Sequence, residues 1–170
     1  MTLAAPHISN FISSIAAPGL RLIPPVSKVI PLPTRTCGLS PFFPPEYSSN
    51  KDAYVDLICN DMIPEVASKK LALFCDVFCE EGYFSVNQSE KILRAGIDYG
   101  LIPRLHADEF VDSGAASLAA DIKAVCADHL MFASDENLKK MADSNVISVI
   151  LPGTTFFLGK KDDLFKCGSI

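Results

Sequence analysis

The sequence predicts a parallel α/β fold built from repeated strand–helix units, on three observations. Short apolar runs begin near residues 72, 101, 124 and 146. Segments with helical spacing separate them. The interval from one run to the next is roughly that of successive βα units, the pattern of a parallel sheet or barrel. Four such units are about half of an eight-stranded barrel.

The elements follow in order from residue 46. Asp52 is placed to cap a helix whose apolar residues Tyr54, Val55, Leu57, Ile58, Met62, Ile63 and Val66 keep helical spacing, with Pro64 kinking or tightening it. Leu71–Phe78 reads as a strand by its apolar continuity. Ser85-Val-Asn-Gln88 is a capping box, so a helix runs from Val86 to about Tyr99 and stops at Gly100. Strand Leu101–His106, a helix around Ala115–Asp121 and strand Ala124–His129 come next. Ser134 caps a helix to about Asp143, and Val146–Leu151 is a last strand closed by Pro152-Gly153.

Composition sets the boundaries. The chain has 170 residues, enough for a buried core, and length suggests one domain. Residues 1–45 form a different segment. It has no acidic residue, its only charges are Arg21, Lys28 and Arg35, and it holds most of the 12 prolines. It lacks the arginine-rich amphipathic character of a transit peptide and the basic start of a secretory signal. The expectation is a poorly ordered, proline-rich leader before a partial (β/α) domain at 46–170. The net charge of -5 argues against nucleic acid or an anionic membrane as partner. No apolar run reaches the about 20 residues that span a bilayer.

The six cysteines (37, 59, 75, 79, 126, 167) contain no CxxC pair. Cys59, Cys75 and Cys126 sit in apolar runs and read as buried structural thiols of a reducing compartment. A Cys75/Cys79 metal or redox pair is the sharper alternative. Lys139, Lys140, Lys160, Lys161, Asp162 and Asp163 read as solvated surface, and Thr154 and Thr155 as turn-stabilising residues.

Chemistry concentrates at two strand ends. His106 closes the run that begins at Gly100, Glu109 follows three residues later, and His129 closes the run that begins at Ile122. A (β/α) barrel builds its active site on loops at the C-terminal ends of its strands. Two histidines on successive strands with a nearby carboxylate make a metal-and-water hydrolase site, since a bound metal ion lowers the pKa of its water toward about 7. Alone, each residue has a simpler reading: His106 as a satisfied strand-end histidine, Glu109 and Asp108 as solvated loop carboxylates.

The segments PPEY (44–47), YVDLICNDMIPEVA (54–67), FCDVFCEEGYFSVNQSEKILRAG (74–96), PRLHADEF (103–110), ADHL (127–130) and LPGTTFFLG (151–159) tip that balance. Together they resemble the central part of the imidazolonepropionase family, metal-dependent hydrolases of the amidohydrolase superfamily that act in histidine degradation. The resemblance implies about half of a TIM barrel, roughly strands 4 to 7, and one metal, zinc or iron. It implies hydrolysis of 4-imidazolone-5-propanoate to N-formimidoyl-L-glutamate by a metal-activated water, in the cytoplasm. A small-molecule substrate is then the partner, nucleic acid and membrane are not, and a homo-oligomer is allowed. His106 corresponds to the metal ligand of the fifth strand. Glu109 corresponds to the carboxylate that contacts the imidazolone ring and handles the proton of the attacking water. His129 corresponds to the sixth-strand histidine beside that water.

Parts of the family pattern are absent. No His-x-His pair occurs, the only other histidine being His7, and no Asp-x-Asn-Pro-Gly segment supplies an aspartate ligand. Where the family has a substrate-binding histidine before the prolines, this chain reads Leu39-Ser-Pro-Phe-Phe43. Thr34–Leu39, where the family's third strand belongs, matches it only faintly. A lone imidazole cannot fix a metal's geometry. The alternative expectation is therefore a catalytically inactive truncated fragment, or a half-barrel that needs a complementary chain.

Overall fold

The computed structural model describes residues 36–38 and 43–159. Among them a five-stranded parallel sheet forms from β1 (Thr36–Gly38), β2 (Phe74–Cys79), β3 (Ile102–Ala107), β4 (Cys126–His129) and β5 (Ile147–Val149). The strands lie in chain order, β1-β2-β3-β4-β5, each paired parallel to the next. Sequential parallel order with intervening helices is the order of an arc of a (β/α) barrel. The described sheet is open, with β1 and β5 at its edges.

The four strands expected from the apolar runs are present; β2, β4 and β5 are shorter than their runs, and β3 keeps its length (6 residues) shifted one residue onward. The faint third-strand segment is also a strand: Thr36–Gly38 pairs with Phe74–Asp76. It falls inside the segment assigned to the leader; the rest of that leader lies outside the described residues, apart from residues 43–45.

Helices α1 (Lys51–Leu57) and α2 (Ile63–Ser68) are one helical run joined through a wider π turn at Ile58–Met62. Pro64 explains that turn. It has no N–H to give to the carbonyl one turn back, and the amide of Ile63 bonds five residues back to Ile58 O. The N-cap is Asn50, whose side chain accepts from the Ala53 amide, and not Asp52. Asp52 sits in the first turn and accepts from Gln88 Nε2 at 2.7 Å, tying α1 to α3.

α3 (Val86–Asp98) begins with the expected capping box: Gln88 N–H to Ser85 Oγ at 3.3 Å and Ser85 N–H to Gln88 Oε1 at 3.2 Å. It ends where Gly100 takes a φ of +81°, with Gly100 N–H on Ile97 O and Leu101 N–H on Gly96 O, a Schellman closure. α4 (Ala115–Asp121) and α5 (Asp135–Asp143) complete the helical layer. Ser134 occupies the N-cap of α5 without a side-chain hydrogen bond. Pro152-Gly153 opens a short helix, α6 (Pro152–Phe157), rather than a plain turn. Thr155 there is buried against Met131, its hydroxyl 3.4 Å from both Met131 Sδ and Leu151 O.

Strand alternation divides the sheet into two unlike faces. Cys75, Val77 and Cys79 on β2, Leu105 and Ala107 on β3, and Ala127 on β4 are buried in one core with Ile92, Leu93, Leu118 and Ala119 of the helices. The close fit of α3 on β2 depends on Gly96, where a Cβ would lie 2.8 Å from Cys75 Cβ. Lys140, expected to be solvated surface, pins α5 to α4 through Asp121 at 2.7 Å and Ser117 at 2.8 Å. The opposite face carries Phe74, Asp76, Phe78, Ile102, Arg104, His106, Cys126 and Asp128, by the same alternation.

Candidate active site

Register decides which of these side chains meet. Asp76 stands beside Arg104, and His106 stands between Phe78 and Asp128 on the neighbouring strands. Arg104 reaches both aspartates, its Nη2 2.5 Å from Asp128 Oδ2 and its Nε 3.5 Å from Asp76 Oδ2. The other oxygen of Asp76 lies 3.1 Å from His106 Nδ1. One ring nitrogen of His106 is thereby held by a carboxylate, which leaves Nε2 for a proton or a ligand.

Beyond His106 the chain turns sharply. Asp108 has a φ of +50° and is fully buried, so it is not the solvated loop carboxylate expected from sequence. It accepts from Ser113 N–H and Oγ, Ala115 N–H and Ala116 N–H, between 2.8 and 3.2 Å. Those amides open α4, whose N-cap Gly114 has no side chain to serve them, and a carboxylate is favourable at a helix start. With Asp108 turned into the helix, Glu109 faces the next strand.

Glu109 is buried as well (6% exposed). Its Oε1 lies 3.6 Å from Nδ1 of His129, whose side chain is 8% exposed. His129 ends β4 with a φ of +76°, followed by Leu130 at +58°. Two consecutive left-handed residues at a strand end are costly and are held by surrounding structure, here by Leu130 N–H on Ala107 O and Phe132 N–H on Asp108 O. The turn brings the rings of His129 and His106 to 5.4 Å between centroids, tilted by 35°. The structure thus brings together His106, Glu109 and His129, the residues singled out from sequence.

Their electrostatics differ by design of the surroundings. The hydrogen bond from Asp76 pushes the His106 pKa up, against the opposing effect of burial. Burial pushes His129 down, helped by the neighbouring His106. Burial pushes Glu109 up, opposed by His106 and reinforced by Glu80. Titratable neighbours whose environments push them in opposite directions are the arrangement acid–base chemistry uses.

A metal site needs several converging donors. Among the described residues no group of three or more His, Cys, Asp or Glu side chains is arranged to hold an ion. His106 offers one imidazole nitrogen, so the described residues do not by themselves fit the metal that the resemblance implies. Cys75 and Cys79 do not add to it. They lie on the helix-facing side of β2, and burial raises Cys79 to about 11. Cys126, expected as a buried thiol, is instead half-buried on the opposite face of the sheet, where burial and then Asp128 raise it to about 11. A cavity of about 590 Å³ opens beside the loop, lined by Glu80, Tyr83, Phe84, Gln88 and Val111 and not by either histidine.

Sequence reading missed Asp76, Glu80, Arg104 and Asp128. The available signal was a charged residue inside an apolar strand, as in Phe74-Cys-Asp-Val-Phe78 and Ile102-Pro-Arg-Leu105. A buried charge in such a run needs a partner on an adjacent strand.

No protein-family model matches the chain. Among curated proteins it is similar to the imidazolonepropionase of Brevibacillus brevis, 55% identical over 115 residues, or 68% of this chain and 27% of that protein. It is 53% identical over 115 residues to the imidazolonepropionase of Shouchella clausii, 68% of this chain and 26% of that protein. It is 50% identical over 125 residues to that of Alkaliphilus oremlandii, 72% of this chain and 30% of that protein. The chain thus spans between a quarter and a third of the length of these relatives. No described helix is long and apolar enough to cross a membrane.

Proposed function

We propose that this chain, a fragment of the imidazolonepropionase family by its matched stretch, supplies the ring-binding and proton-handling arc of a hydrolase site for 4-imidazolone-5-propanoate. The observation that carries the reading is the convergence of His106, Glu109 and His129 at the C-terminal ends of β3 and β4. The setting would be cytoplasmic and the partner a small molecule, without nucleic acid or membrane.

The reaction asks little of the protein beyond positioning and proton transfer. Water adds to the ring carbonyl carbon, the ring C–N bond breaks, and the departing nitrogen takes up a proton, giving N-formimidoyl-L-glutamate. Glu109, raised by burial, can accept a hydrogen bond from a ring N–H and carry a proton between water and leaving nitrogen. His129, kept neutral by burial, presents an acceptor beside it. Asp76 orients His106, with Arg104 holding Asp76 in place. The zinc or iron of the family, when bound, would supply water activation. His106 is the donor this chain offers; the other donors are not among the described residues.

A second reading is favoured by the open face. Ile102 and Ile147 are 43% and 47% exposed there, and both sheet edges are unpaired among the described residues. On that reading the chain is inactive alone and works as a half-barrel completed by a different, complementary chain.

Hydrolysis of 4-imidazolone-5-propanoate by the purified chain separates the two. Turnover that disappears in His106→Ala and Glu109→Gln supports an active site complete in itself or within an oligomer. No turnover, combined with substrate binding that these variants abolish, supports the half-site. Neither turnover nor binding removes the functional reading.

A further inference from the structure

The loop that carries Glu109 is gripped by a second buried carboxylate, Glu80, at the C-terminal end of β2. Glu80 is 2% exposed, and both its oxygens are spent on backbone amides of this loop. Oε2 accepts from Glu109 N–H at 2.8 Å and Oε1 from Val111 N–H at 3.2 Å. Glu80 itself is fixed by its own backbone, with its N–H on Phe84 O and its carbonyl accepting from Tyr83 N–H. Neither residue comes from the element that bears Glu109.

A buried carboxylate is costly unless oriented donors meet its oxygens, as the Glu109 and Val111 amides do here. Glutamine could not replace it, because one oxygen would become an NH2 group facing an N–H. Aspartate keeps the charge but is one methylene short. The bond to Glu109 acts on the same residue whose carboxylate meets His129, so it fixes where that carboxylate can point. Asp108 holds the loop from the α4 side, and Glu80 holds it from β2.

We infer that Glu80 is a positioning residue of the site, aiming the Glu109 carboxylate at His129 and at a bound ring through two hydrogen bonds to the loop backbone. The inference rests on the functional reading only in calling that ring an imidazolone.

The test is amide hydrogen exchange and 1H–15N chemical shifts on the full chain, for wild type, Glu80→Gln, Glu80→Asp and the exposed control Glu81→Gln. Exchange at Glu109 and Val111 is expected to rise about tenfold to a hundredfold in both Glu80 variants, with Leu105 in β3 and the control unchanged. Glu80→Asp, retaining the charge, keeps the test usable where Glu80→Gln does not fold. With 4-imidazolone-5-propanoate added, the Glu109 signal is expected to move in wild type and control but not in Glu80→Gln or Glu80→Asp. Unchanged exchange at both amides, a uniform rise across the sheet, or an intact Glu109 response in the variants overturns the inference. A wild-type chain that protects both amides but ignores the substrate overturns the functional reading and leaves the positioning of the loop standing.

Discussion

Asp76 and His106, on adjacent parallel strands, meet through Oδ1 and Nδ1 at 3.1 Å, while the second oxygen of Asp76 faces Arg104 Nε at 3.5 Å. A single carboxylate therefore orients the imidazole and is itself oriented by a guanidinium, which is held in turn by Asp128. Strands β2 and β4 contribute one residue each to this cluster and β3 contributes two, Arg104 and His106, with His106 nearer the strand C-termini.

Replacing Asp76 by Asn should return the His106 pKa, followed by NMR, toward its ordinary value of 6.5. A histidine raised in the folded state contributes stability that is fully present below its unfolded pKa and is lost as pH rises through its folded pKa. Wild type should therefore exceed Asp76→Asn by more at pH 5 than at pH 8 in urea unfolding. The part of the difference that does not vary with pH reports the lost Arg104 contact. A pH-independent difference would show that Asp76 does not hold the imidazolium.

Burial raises Glu109, which works in the same direction. The protonated carboxyl is favoured in the folded chain, so its contribution is present below the unfolded pKa and lost as pH rises through the folded value. Glu109→Gln, which stays neutral, should gain stability relative to wild type as pH increases from 4 to 7. An equal response of the two proteins over that range would count against the buried carboxyl.

Gly96→Ala places a Cβ 2.8 Å from Cys75 Cβ, a contact with strand β2 that no side-chain rotation relieves. The expected cost is about 1–3 kcal/mol, read as a lower urea midpoint with an unchanged slope. The same substitution at Gly153, where a Cβ meets nothing within 4 Å, is the control.

Cys79 in the core and half-buried Cys126 on the opposite face provide a chemical check on the two sides of the sheet. Cys79 and Cys126, both pushed up to about 11, should resist iodoacetamide at pH 8 in the folded chain and react after addition of urea. Mass spectrometry resolves them from Cys37, Cys59, Cys75 and Cys167. Rapid native labelling of Cys79 would mean that the α3–β2 packing opens.

The sequence was most legible where the signal was local. Ser85 and Gln88 fixed the start of α3 because a capping box is a spacing, and Gly100 fixed its end because a positive φ favours glycine. His106 and His129 were legible as strand ends, but their meeting was not: register pairs His129 with Ala107, and the left-handed turn at His129 and Leu130 brings its ring to His106. What escaped was relational. Asp52 and Asn50 are equally good caps by type, and only the backbone path selects Asn50. Asp108 and Glu109 are adjacent acids, and the φ of +50° at Asp108 sends one into α4 and the other toward His129. Glu80 and Asp76 act on residues about 30 positions away, which no short motif encodes. Thr36–Gly38 is too short to announce itself without β2 beside it.

The central claim is that His106, Glu109 and His129 form one binding site for an imidazolone ring. Calorimetric titration of the purified chain with 4-imidazolone-5-propanoate tests it most directly. The account predicts saturable binding that weakens about tenfold or more in each of His106→Ala, Glu109→Gln and His129→Ala, each variant remaining folded. Absence of binding, or binding that all three substitutions leave intact, would contradict it.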